Sequence, residues 1–205
     1  MLSTWIISGV LILFAVFVRI RAKSFKDVPS GMQNLLELAV ESMDNLVRDT
    51  AGESLNFLSG YFFCIFAFIL LSNFSGLVGL RPPTSDLATT IPLAVTTFML
   101  IHALGIYMQK GAYFKSYLRP NPVFLPMNII GELSRPISLS FRLFGNILGG
   151  VIILEFAYML LPLVLRFVVP DVLHVYFDLF AGTLQAFVFT VLSLTFINIK
   201  AGPEL

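Results

Sequence analysis

The chain has 205 residues, of which 57% are hydrophobic and only 12% charged, with a net charge of +1 and a mean hydropathy of +0.89. A soluble domain carries about 25% charged residues, so this composition leaves too few polar groups to cover a water-facing surface. It excludes a soluble enzyme, a disordered chain and a disulfide scaffold, and the near-neutral charge gives no electrostatic footprint for nucleic acid. Cys64 stands alone and can form neither an internal bridge nor a multi-cysteine metal site. The expectation is an all-α, polytopic membrane protein forming a single membrane domain over residues 1–205.

A bilayer crossing needs about 20 largely apolar residues. The first such run lies in 1–22, from Leu2 to Val18, with Trp5 near its outer end. Signal peptides place positive charge before the apolar run, whereas Arg19, Arg21, Lys23 and Lys26 all follow it here. Residues 30–50 read as an amphipathic helix instead. Leu35, Leu36, Ala39, Val40, Met43, Leu46 and Val47 form a helical stripe, and Ser30 and Gln33 have capping-box spacing. The opposite face carries Glu37, Glu41, Asp44, Arg48 and Asp49, too much charge to cross lipid. Anionic lipids do not attract an acidic face, so a docking surface for a partner protein is expected at the cytoplasmic boundary.

Residues 56–80 and 88–108 are the second and third spans, the latter holding His102, read as a packed or interface residue. Two longer stretches follow, 122–163 and 171–200. Basic residues mark the cytoplasmic side. Arg19, Arg21, Lys23, Lys26, Arg48, Lys110, Lys115, Arg119 and Lys200 fall on one side of five crossings, and only Arg81 and Arg166 on the other. The N-terminus is therefore expected outside and the C-terminus in the cytoplasm.

A helix from Asn128 to Leu161 measures about 50 Å, against a hydrocarbon slab of about 30 Å. Such a helix must tilt steeply or break, and Pro136 permits a kink near its start. The last stretch, at about 44 Å, has the same excess. Within the fourth stretch Glu132 and Arg135 stand at i, i+3 and are expected to satisfy each other. Arg142 is different, because its helical neighbours Ser138, Leu139, Gly145 and Asn146 include no acid. An arginine does not shed its proton, and holding it at mid-membrane costs at least about 2.5–3.5 kcal/mol. It needs water or a carboxylate from outside its own helix.

In the last stretch Asp171, His174, Asp178 and Gln185 recur at helical spacing on one face. Ionisable groups on one intramembrane face are the usual makings of a proton or cation path; the plainer alternative puts Asp171 and His174 in the outer headgroup region. Glu155 lies well round the helix from Arg142 and is not its local counter-ion. Gly145 and Gly149 leave room for close approach of a neighbouring helix.

The run Ser138-Leu139-Ser140-Phe141-Arg142-Leu143-Phe144-Gly145-Asn146, with Leu184-Gln185-Ala186-Phe187 downstream, resembles subunit a of rotary F-type ATP synthases. Asn128 to Pro136 and the Asp86-Leu87-Ala88-Thr89-Thr90 loop fit the same pattern. The resemblance implies a stator facing a ring of c subunits, with the last two membrane helices as an oblique hairpin against that ring. It implies that Arg142 faces an acid on each passing c subunit, that Gln185 sits near it, and that two unconnected half-channels serve the ring. Peripheral-stalk b subunits and the lipid bilayer are the other implied partners, with a proton or sodium ion as cargo, no cofactor, no metal and no bond-making chemistry. Where many relatives carry a carboxylate after the arginine motif, this chain has Val151. Glu155, one turn on, and Asp178 are the expected outer half-channel groups, with Asn146 assisting, and Glu132, His174 and Asp171 as possible supporting groups. Without a transit-like leader, the expected location is a bacterial plasma membrane.

An independent ion channel or secondary transporter is the main alternative, although transporters commonly show internal repeats and none is evident here. An intramembrane enzyme lacks support, as the sequence shows no paired zinc-binding histidines, nucleophile elbow or phosphate loop. A scaffold in which Arg142 and Asp178 form a permanent pair is the third alternative.

Overall fold

The computed structural model describes residues 2–22, 25, 31–118, 121–163 and 165–201. Lys23, Lys26 and Arg119, used above for orientation, and Ser30 of the expected capping box lie outside these residues. The described residues are almost entirely helical and contain no strand, and five segments are long and apolar enough to cross a membrane.

Helix α1 (Leu2–Ala22) is apolar on every side, and only Ile7 is buried. It touches mainly α3 (Ser59–Phe74). Lipid tails are as apolar as leucine, so nothing forces such a helix to bury more. Helix α2 (Met32–Ala51) is amphipathic as expected and buries Met43, Val47 and Ala51, positions one turn apart. Leu35 and Val40 from the expected stripe remain exposed, so only the C-terminal half of that stripe is used inside the chain. The helix ends at Gly52, whose φ of 95° suits glycine, and the Gly52 N–H donates to the Arg48 carbonyl at 3.0 Å.

Helix α3 continues into a tight turn over Ser75–Val78, and Gly79 reverses the chain at φ 75°. Asp86 caps α4 (Leu87–Gln109), its Oδ1 accepting from the Ala88 N–H at 3.0 Å. After the short α5 (Gly111–Ser116), helix α6 (Leu125–Leu160) runs for 36 residues, about 54 Å at the usual rise. It stays helical through Pro136, where a break was possible. The last rod is made of α7 (Val169–His174), a π-helical turn (Val175–Ala181) and α8 (Gly182–Ala201). Both rods exceed the slab thickness of about 30 Å.

Helix α8 is the hub. In the most apolar stretch of its rod 44% of residues are buried, against 6% in α1. One core layer joins α8 (Leu194, Ile197, Ala201) to Met43, Val47, Leu55, Phe62, Ile101 and Leu104. The second joins Ala186 and Phe189 to Ile65, Ile69, Ala94, Leu139 and Leu143. Polar side chains fasten the layers: Ser140 Oγ donates to Thr90 Oγ1 at 3.1 Å, and the Asn198 amide to the Thr50 carbonyl at 3.0 Å. Such bonds and close packing hold helices together in lipid, where apolar burial alone gives no drive.

Phe189 is fully buried at the centre of the second layer, whereas Trp5 is 79% exposed. Phe189→Ala leaves a cavity among packed helices and is expected to lower the thermal midpoint in detergent, while Trp5→Ala leaves that midpoint within error.

Candidate functional site

Arg142 projects from α6 and is exposed. It makes no hydrogen bond or ion pair with another described residue. Beside it runs an open cleft of about 190 Å³ lined by Ser134, Arg135, Ser138, Leu139, Leu192 and Phe196. One and two turns further, Gly145 and Gly149 face open space, since a Cβ on either would meet nothing within 4 Å. The close approach expected there involves no helix among the described residues. Asn146 is exposed on the same side. The result is a cation on a bare helical face. Gln185, on α8, is buried, and its Nε2 has no hydrogen-bond partner. No hydrogen bond joins it to Arg142.

A second cleft, of about 320 Å³, opens between the end of α3, α6 and the π-helical turn. It brings together Glu155, Tyr158, His174 and Asp178, with Val151, Gly76 and Arg81 in the wall. Asp178 is buried and its Oδ2 lies 2.6 Å from His174 Nδ1. With the carboxylate ionised, that geometry requires the N–H of the imidazole to sit on Nδ1. The Tyr158 and His174 rings lie 6.2 Å apart. Asp171 is exposed and takes no part in the cleft lining. The expected stripe of four residues at regular spacing is therefore interrupted: Asp178 sits in the π-helical turn, whose i→i+5 bonding changes the phase between it and Gln185.

A third polar cluster surrounds Glu132, at the far end of α6 from the second cleft. Lys200 Nζ lies 2.5 Å from Glu132 Oε1, and Arg135 Nη1 donates to Oε2 at 2.9 Å. His102 Nε2 is 4.0 Å from Oε2, while His102 Nδ1 contacts the Phe98 carbonyl at 2.9 Å. Lys200 Nζ also donates to the Tyr117 hydroxyl at 3.3 Å and lies over the Tyr117 ring at 4.4 Å. Tyr113 and Tyr117 share a hydroxyl contact of 2.8 Å. Burial, aided by the Tyr117 bond, pushes the Tyr113 phenol well above its usual range, and burial raises Tyr117 as well. Both phenols stay protonated at neutral pH and available as donors. The carboxylate is thus held by cations from two helices.

Sequence reasoning found the Glu132–Arg135 pair but missed Lys200, which it read only as a flanking charge. It also missed Asn73 and Thr84, both fully buried, with Asn73 bonded to the Gly182 carbonyl and to Thr84. Their one signal was an asparagine inside an otherwise apolar span.

The family described as ATP synthase A chain matches residues 1–198. ATP synthase subunit a of Moorella thermoacetica is 36% identical over 197 residues, covering 95% of this chain and 87% of that protein. ATP synthase subunit a 2 of Syntrophotalea carbinolica is 37% identical over 199 residues, covering 95% and 82%. A relative from Propionigenium modestum, named ATP synthase subunit a, sodium ion specific, is 34% identical over 218 residues, covering 98% and 73%.

Removing one partner of a buried ion pair leaves an uncompensated charge, a loss of about 3–5 kcal/mol. Glu132→Leu strands both Arg135 and Lys200 and is expected to lower the thermal midpoint more than Lys200→Met, which leaves the Arg135 bond intact. Equal midpoints for the two variants would contradict the shared-anion geometry.

Proposed function

The chain belongs to the ATP synthase A chain family, and from that premise we propose that it is the stationary ion-conducting half of a rotary motor, working against the carboxylates of a c-subunit ring. The observation that carries this reading is Arg142, a permanent cation on an exposed helix face with no anion beside it among the described residues.

A carboxylate travelling through lipid holds its proton or metal cation, because burial disfavours the naked charge. Opposite Arg142 at about 4 Å, with an effective dielectric near 20, the ionised carboxylate gains about 4 kcal/mol. That is enough to release its cargo. The same fixed charge repels a free cation trying to pass directly along α6. Ions must therefore ride the ring, and net flow becomes rotation. The bare Gly145–Gly149 face supports this reading, since it gives a passing ring helix unobstructed access beside the arginine.

Two offset half-channels deliver and remove the ion. Glu155, His174 and Asp178 line the outer one, with Asn146 and Gln185 assisting near the arginine. The cleft lined by Ser134 and Ser138 beside Arg142 serves the cytoplasmic side, bounded by the Glu132 cluster. The N-terminus lies outside and the C-terminus in the cytoplasm of a bacterial plasma membrane. Peripheral-stalk b subunits hold the chain against the ring, with the exposed acidic face of α2 as one docking surface. The cargo is a proton or a sodium ion; the subunit makes and breaks no covalent bond.

ATP-driven ion pumping by the assembled complex in vesicles is expected to vanish in Arg142→Ala, and pumping at the parental rate would refute the assignment. The Glu155→Ala, Asp178→Ala double variant is expected to slow ion uptake through the outer half-channel while the ring still assembles. Unaltered pumping would remove both residues from the path.

A further inference from the structure

Asp178 is carried by an uncommon backbone. Its seven-residue turn bonds i→i+5 between two α-helical segments, an arrangement that is rare and held in place only where the surroundings support it. Three glycine contacts surround it. A Cβ on Gly76, beyond the end of α3, would lie 2.7 Å from Asp178 Cγ and 2.8 Å from Oδ1. A Cβ on Gly182 would lie 2.8 Å from Asn73 Cβ. A Cβ on Gly150 of α6 would lie 3.0 Å from Phe177 Cβ. The Asn73 and Gly76 contacts alternate: Gly76 makes room for Asp178, and Gly182 makes room for Asn73.

Asn73 also bonds across this contact. Its Nδ2 donates to the Gly182 carbonyl at 2.9 Å, and its Oδ1 accepts from Thr84 Oγ1 at 2.7 Å. Asn73 and Thr84 are fully buried, so these bonds have no competition from water and fix the amide orientation. The carboxylate of Asp178 is then confined between the bare Gly76 backbone and His174 Nδ1.

We propose that Asn73 and Gly76 are positioning residues for ion uptake: Asn73 anchors the exit of the π-helical turn, and Gly76 supplies the space that holds the Asp178 carboxylate in the cleft with His174 and Glu155. This assignment rests on the outer half-channel reading above. Neither residue touches the ion. A side chain at 76 would displace the carboxylate from His174, and loss of the Asn73 amide would free the turn to relax toward ordinary α-helix.

The test uses the assembled complex in vesicles with Gly76→Ala, Asp178→Ala and the double variant, read both by thermal midpoint and by ATP-driven pumping rate. Gly76→Ala is expected to lower the midpoint by several degrees through overpacking, and Asp178→Ala to restore it by removing the clashing group. In rate, Gly76→Ala slows pumping severalfold on its own and adds nothing in the Asp178→Ala background. Asn73→Leu is expected to slow the same step. Independent midpoint effects would overturn the geometry. Coupled midpoints with a Gly76→Ala rate equal to the parent would overturn the positioning role. Parental pumping in Asp178→Ala would instead bring down the outer half-channel reading, and the role built on it, while leaving the midpoint coupling in place.

Discussion

A guanidinium keeps its proton under all conditions a membrane offers, so the charge on Arg142 has to be answered by water or by a carboxylate. Nothing in its own helix answers it, and no other described residue does so. Much of the architecture follows from that constraint. The face around the arginine is stripped of side chains at Gly145 and Gly149, Glu132 and Asp178 are engaged elsewhere, and α6 is long enough to carry the arginine and both polar clusters along one rod. A resident counter-ion would have satisfied the charge permanently.

The two acidic clusters show how differently a carboxylate can be treated within one chain. Glu132 is held by Lys200 and Arg135, with Tyr117 bonded to the lysine; its contacts come from α4, α6 and α8. Ion pairs removed from water are stable only when so fully partnered. Asp178 is buried as well, yet its one side-chain partner is an imidazole, and it borders an open cleft. Asp178 thus borders open space with an imidazole beside it, whereas Glu132, clamped by two permanent cations, fastens helices together.

Helix α8 reconciles these demands. It buries more of its surface than the other membrane rods and joins α2, α3, α4 and α6. Its C-terminal end is tied down by Lys200 and by the Gln109 amide on the Lys200 carbonyl. Its N-terminal end is anchored by Asn73 on the Gly182 carbonyl. With both ends fixed, the irregular turn before it can hold Asp178 away from regular helical register. Rigid packing on one side of the molecule thus leaves the arginine face free of structural duties.

Much of this was legible from residue order alone. The five apolar runs, the amphipathic α2, the Glu132–Arg135 pair and the absence of an acid near Arg142 on its helix are local properties, set by run length and by spacing of three or four residues. The family resemblance rested on four short motifs, each equally local. The contacts of Lys200 with Glu132, of Asn73 with Gly182 and of Gly76 with Asp178 were not legible. A helix that is apolar all round carries no periodicity to say which of its faces meets which neighbour, so only the assembled bundle decided those pairings. The same ambiguity left open which helix would approach the glycines of α6: among the described residues Gly150 packs against Phe177, while Gly145 and Gly149 face open space. Regular helical spacing likewise assumed one constant twist through Asp178 and Gln185, and the π-helical turn, held by side chains from other helices, replaced it with another.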